Sequence, residues 1–392
     1  MLKKIITEFT DDSKEAHKIF FTTGVIGGFI GISLWIFAEK SYAYFWHPEL
    51  MITNYLLPIA CGFLLVSVPK FLGTSPSNAF DKIIPFVIFY ALIILALFAK
   101  LEMYFILKIF LFLYLIFYGI IKIIKRKGMI PYFFPFVIFA FLLGLTGALA
   151  QAALHLKFIS SDNIFYLGRK TYFQGFFWVL FAGVASKFMP MMMQVAPAPA
   201  KKNRFLPNIN PFSKPFWVSI GFLLTLTYYL EAFQIIKPAL VLRAFLVLII
   251  AKKGWHLFEK RSQKTKLSTI IRVLFWHVLI GHFVMIFFVQ EIIHIAHILF
   301  IGAFSMGTVI VMTRVSLGHE KIPFEMEQKS KLYFAALGIL IIALWTRVSA
   351  IFLKSYFIHL EMASVTWAVA MLLWIVTLFR WFHKHKAEQE PA

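Results

Sequence analysis

Runs of about twenty apolar residues recur from one end of the chain to the other, each closed by a polar turn. A helix needs about 20 mostly apolar residues to cross the hydrocarbon of a bilayer. By that rule the pattern predicts twelve spans, at about 19–38, 49–68, 82–99, 103–124, 131–155, 172–193, 215–236, 238–252, 269–289, 293–313, 332–353 and 361–382. The first run, Ile19 to Ala38, is longer than the apolar stretch of a signal peptide and lacks a small-residue cleavage site after it. It is expected to be a retained helix. A Pro-rich stretch, APAPAKKNRFLPNINPFSKP at 196–215, separates the sixth run from the seventh, and its prolines stop a helix from continuing. The expectation is a single all-α polytopic membrane domain over 1–392, with six helices in 1–195, a linker at 196–215 and six helices in 216–392.

Composition strengthens this picture. The chain is 60% hydrophobic and 15% charged, where a soluble domain is nearer 45–50% and about 25%. The net charge of +21 comes from cations that fall between apolar runs. They cluster in alternate loops: Lys3, Lys4, Lys14 and Lys18 before the first run; Lys122, Lys125, Arg126 and Lys127 after the fourth; Lys201, Lys202, Arg204 and Lys214 after the sixth; Lys252, Lys253, Lys260, Arg261, Lys264, Lys266 and Arg272 after the eighth. The intervening turns are poor in cations. Cation-rich loops stay in the cytoplasm, so both termini are expected there. Such cations meet anionic lipid rather than nucleic acid.

The single cysteine, Cys61, lies inside an apolar run. A disulfide framework, a thiolate cluster and a cysteine zinc site are therefore excluded, and any metal falls to histidine, methionine or carboxylate. Of twelve histidines, His17, His256, His383 and His385 lie in tails or a cation-rich loop. Seven lie toward the cation-poor ends of the runs: His47, His155, His277, His282, His294, His297 and His359. An ionisable or metal-binding side chain within a span is costly to place and is a functional candidate by default. Neutral imidazole is also a common haem and copper ligand. His294 and His297, three apart, share a helix face. His277 and His282, five apart, are separated by about 140° around a regular helix and cannot both face one metal. Met189, Met191, Met192 and Met193 resemble a copper run but lie at the opposite end of their span and are expected to pack. Gly24 with Gly28, Gly27 with Gly31, Gly144 with Ala148, and Ala303 with Gly307 place small residues four apart, which suits close helix packing; a groove for a flat cofactor is the alternative.

A weak internal repeat is visible. The second, sixth and tenth runs end in SVPKFLG, ASKFMPM and TRVSLG, each with a cation, Lys70, Lys187 or Arg314, at its foot. His155 precedes Lys187 by the same interval that separates His282 from Arg314. Three four-helix units on the pattern of haem–copper oxidases would account for this. The tenth run is expected to end near Thr313, with Gly318 in the left-handed position after it and Arg314 at lipid phosphate, a haem propionate being the alternative partner.

GFLLVSVPKFLGT (62–74), preceded by Trp46 and His47, and HILFIGAFSMGTVIVMTRVSLGHE (297–320) resemble segments of the NnrS family, bacterial haem- and copper-containing membrane proteins tied to the nitric oxide response and denitrification. Carried over by position, the resemblance implies roles for His47, His277, His297, Arg314 and His319, and for His155. The family's second histidine and glutamate after His47 are here Glu49 and Leu50, and Lys70 stands where the family often has asparagine. The candidate cofactor set is thus His47, His155, His277, His282, His294 and His297. The candidate metal set is His47, Glu49 and His297, with Arg314 and His319 as accessory residues. The expected function is haem binding, with copper as an option, in sensing, binding or detoxifying nitric oxide and protecting against nitrosative stress. His297 with His277 or His282 would make a six-coordinate haem. Glu102, Glu231, Glu291 and Glu361 lie near span ends, and no carboxylate chain crosses the core, so proton-coupled turnover finds no support and enzymatic activity stays open. A secondary transporter and a non-catalytic subunit of a respiratory complex, with a respiratory-chain partner, are the competing readings.

Overall fold

A computed structural model describes residues 16–193, 195 and 213–389. The Pro-rich stretch at 196–212 and the cations Lys3, Lys4, Lys14, Lys201, Lys202 and Arg204 lie outside the described residues. Among those described, twelve long helices follow in the order the apolar runs predict: α1 Ala16–Phe37, α2 Lys40–Leu72, α3 Ala79–Leu97, α4 Leu101–Ile124, α5 Phe134–His155, α6 Asp162–Met192, α7 Lys214–Ala232, α8 Ile236–Lys253, α9 Lys266–Phe287, α10 Ile292–His319, α11 Lys331–Ser349 and α12 Tyr356–Gln389. A short helix, Glu325–Lys329, lies between α10 and α11. Ten of the twelve are long and apolar enough to cross a membrane. The two that fall short, α7 and α8, carry Glu231 and Arg243, which are buried.

Several boundaries differ from expectation: α2 begins at Lys40 rather than about 49, and α6 at Asp162 rather than about 172. Helix α10 does not stop near Thr313 but continues through Gly318 to His319, and the left-handed backbone falls at Lys321 (φ 57°). The reason is a buried partner for Arg314, described below, which lets the polar turn stay helical.

Three helices share an irregularity that the apolar pattern conceals. Helix α2 widens to a π-helix over Met51–Leu56, α6 over Arg169–Phe176 and α10 over Phe300–Ser305. These are the second helices of the three sequence units. A π turn loosens the backbone ladder and exposes carbonyls that need other partners. Side chains supply them. Ser305 Oγ donates to the Phe300 carbonyl at 3.2 Å and accepts from Trp367 Nε1 at 3.1 Å. Thr171 Oγ1 donates to the Leu167 carbonyl at 2.6 Å. Thr308 Oγ1 donates to the Ser305 carbonyl at 2.9 Å, whereas Asn54, in the widened turn of α2, donates outward to the Phe89 carbonyl of α3 at 2.9 Å.

The chain forms two compact units. The first comprises the described residues of Met1–Val66, Pro76–Phe89 and Glu291–Ala392; the second comprises those of Ser67–Ser75 and Tyr90–Gln290. In the first, the glycines of α1 press on the π turn of α2. A Cβ on Gly27 would run into the Asn54 backbone, one on Gly24 into Ile59 and Tyr55, and one on Gly31 into Met51. In the second, Gly147 of α5 meets Thr171 and Tyr172 of the α6 π turn in the same manner. Helix packing, not a cofactor groove, therefore accounts for these small residues.

Candidate functional site

In the first unit, α2 and α10 bring His47, His294 and His297 to one place. Arg347 of α11 lies within electrostatic reach of all three, and His297 within reach of His47 and His294. Each imidazole is fixed by one ring nitrogen. His47 Nδ1 donates to the Gly31 carbonyl at 2.9 Å, and His297 Nδ1 donates to the Ile293 carbonyl at 2.7 Å. A carbonyl can only accept, so Nδ1 carries the proton and Nε2 holds the lone pair. That is the tautomer a metal ligand needs, oriented by a carbonyl behind it. His294 is held differently: Arg347 Nη1 donates to its Nδ1 at 2.8 Å. Glu49, two residues from His47, is buried.

In the second unit, His282 of α9 is 2% exposed. Its Nδ1 donates to the Val278 carbonyl at 2.9 Å, its ring lies 4.5 Å from Trp178, and its buried Nε2 has no hydrogen-bond partner. Within electrostatic reach lie Arg243 and Glu231. Glu231, fully buried, pairs with Lys170 and with Arg243 Nη2 at 2.7 Å, and Arg243 Nε also donates to Thr227 Oγ1 at 3.0 Å. The guanidinium stacks over Tyr228 at 3.7 Å. Lys108, also fully buried, donates to Gln151 at 2.6 Å inside a cage of Tyr104, Phe105 and Tyr172. His155 stacks flat on Phe105 at 4.5 Å. His277 Nδ1 donates to the Val273 carbonyl at 2.9 Å, and its ring is only part-buried.

Glu231 lies near the end of α7, as expected. It is the buried centre of an ion network, because two cations from α6 and α8 reach it where no water does. The sequence contained a signal for Lys108 and Arg243, each a charge several residues inside an apolar run. No local signal pairs Lys170 with Glu231 across 61 residues.

At the far end of α10, Arg314 Nε lies 2.7 Å from Glu327, whose side chain is fully buried, and its guanidinium covers Phe324 at 4.5 Å. A protein carboxylate thus takes the place expected for lipid phosphate. Burial pushes the Glu327 carboxyl up to about 7, against the pull of Arg314. His319 packs against His17 with ring centroids 4.3 Å apart, beside a Lys18–Glu320 pair at 2.7 Å. Lys70 and Lys187, the counterparts of Arg314 in the repeat, are exposed.

Among the described residues, no three histidine, cysteine or carboxylate side chains are close enough to hold a metal ion. The copper set His47, Glu49 and His297 is thus not gathered as a three-ligand site. A haem makes a smaller demand, one or two imidazole nitrogens with a fixed tautomer, and His47, His297 and His282 meet it.

The helices define a multi-pass, all-α membrane protein, with His282 buried and His47, His294 and His297 part-buried among them. Comparison of families places it more narrowly. A family model described as NnrS protein matches residues 13–386, nearly the whole chain, and the chain belongs to the NnrS family. No curated protein and no solved structure matches it.

Proposed function

We propose that this chain is a haem-binding protein of the bacterial inner membrane that binds nitric oxide in the response to nitrosative stress. The observation that carries the reading is the tautomer of His47, His297 and His282. Each is anchored through Nδ1, and each keeps Nε2 as the lone-pair nitrogen. Either His47 or His297 would hold a haem in the first unit, leaving the other beside the ligand position, and His282 would hold one in the second. Bound haem iron with one imidazole ligand supplies a vacant position for a neutral diatomic. The residues around it supply orientation and exclusion of water. Copper is less well supported, because Glu49 stands where the family pattern has histidine and no three-ligand group is present among the described residues. The cation-rich loops support cytoplasmic termini, and the exposed apolar side chains of the spans are taken to face lipid. A respiratory-chain electron donor belongs to the same proposal.

The test is spectroscopic. Protein purified after haem-replete expression should carry a Soret band and iron, and nitric oxide should shift that band. A colourless, iron-free preparation would refute the reading. Secondary transport is the second reading, favoured by the buried Lys170–Glu231–Arg243 network. It requires solute uptake into proteoliposomes that Glu231→Gln abolishes.

A further inference from the structure

His294 differs from every other histidine of the proposed site in which ring nitrogen carries its proton. A guanidinium has donors only. The Arg347 Nη1 contact at 2.8 Å therefore makes His294 Nδ1 an acceptor. A neutral imidazole has one N–H, which must then sit on Nε2. His47 and His297 have the opposite arrangement, because their Nδ1 atoms face carbonyls. One turn of α10 thus offers a lone pair at His297 and an N–H at His294.

We propose that Arg347 fixes His294 as a hydrogen-bond donor to the small ligand held at the His47–His297 centre, and so removes it from the set of metal ligands. The ligand class is a diatomic or similar species that gains negative charge on its outer atom when bound. A donor whose orientation is fixed in advance stabilises such charge, and His294 is held part-buried by its arginine. Arg347 is 9% exposed, and the Tyr356 hydroxyl is its second partner. The Tyr356 ring also stands edge-on to His294 at 5.6 Å, so one tyrosine braces both members of the pair. Arg347 is a positioning residue, and His294 is the group that meets the ligand. The inference about the ligand rests on the proposed function; the tautomer is a property of the chain alone.

The two parts are tested separately. The metal-free protein is labelled with 15N-histidine and its imidazole nitrogens are read by NMR. The resonance lost in His294→Gln should belong to an Nε2–H tautomer. Arg347→Met should convert it to Nδ1–H, while Arg347→Lys, which keeps a donor, should leave it unchanged. A wild-type His294 in the Nδ1–H form overturns the assignment. In the haem-loaded protein, the stretching frequency of ferrous-bound carbon monoxide should rise in Arg347→Met and in His294→Leu, which has no donor, and return toward the wild-type value in Arg347→Lys. An unchanged frequency overturns the role toward the ligand. If no haem is taken up, the proposed function and the role toward its ligand fail together, and the NMR result still decides the tautomer.

Discussion

At the residue scale, the chemistry turns on which atoms of a side chain are already committed. Twelve histidines are visible in the sequence, and their distribution toward one end of the spans is visible too. Their tautomers are not, because the partner that sets each one is a backbone carbonyl or, for His294, an arginine 53 residues away. His47→Ala or His297→Ala should lose haem from the first unit, and His282→Ala from the second, read as the Soret absorbance per protein. His359→Ala should leave it unchanged, since its ring is not buried in the protein and lies with neither histidine set. Glu327 allows a prediction with a definite sign. Its folded pKa, about 7, is raised above the unfolded value near 4.5 by burial. The stability it contributes is therefore fully present below about pH 4.5 and is lost as pH rises through about 7, on the order of 3 kcal/mol at most. Glu327→Gln should flatten that part of the melting-temperature profile between pH 5 and 8. An unchanged slope would show that the buried carboxyl is not the cause.

At the element scale, helix positions follow from apolar runs because every span must satisfy its backbone internally and face lipid. Helix irregularities do not follow in that way. Asn54, Thr171 and Ser305 read in the sequence as ordinary polar residues. They lie in the widened turns of α2, α6 and α10, and a π turn has no periodicity that a run of apolar residues reveals. The glycine stripe of α1 is legible as packing, but its counterpart, the π turn of α2, is not. Gly27→Ala should therefore destabilise the protein by about 3 kcal/mol or more, because its Cβ would strike the Asn54 backbone, which cannot rotate away. Gly119→Ala, where nothing lies within 4 Å, should be neutral or stabilising by up to about 1 kcal/mol. Melting temperatures of the two variants in one detergent make the comparison. In the second unit, Glu231→Gln should cost about 3–5 kcal/mol, since it leaves Lys170 and Arg243 facing each other without a carboxylate. Adding Lys170→Met to it should restore part of that loss, and a double variant no more stable than the single would contradict the network.

At the scale of the whole molecule, the even number of long helices and the alternation of cation-rich loops make one prediction about topology. Reporters fused to the two termini should both read as cytoplasmic, and Cys61, 1% exposed, should resist maleimide in intact vesicles. Labelling of Cys61 from water would place α2 wrongly. Span count, order and the expected orientation are properties of the sequence by itself, because hydrocarbon selects for length and hydropathy, and anionic lipid for loop charge, one segment at a time. Family membership is likewise legible there, in the stretches around His47 and His297. The tertiary structure alone decided three things. It gathered His47, His294 and His297 around Arg347, it buried Glu231 between two cations, and it gave Arg314 a carboxylate at Glu327 so that α10 runs on to His319. Each is a pairing between side chains on different elements. Such pairings depend on which helix faces meet, and a one-dimensional pattern of apolar and polar positions does not contain that information.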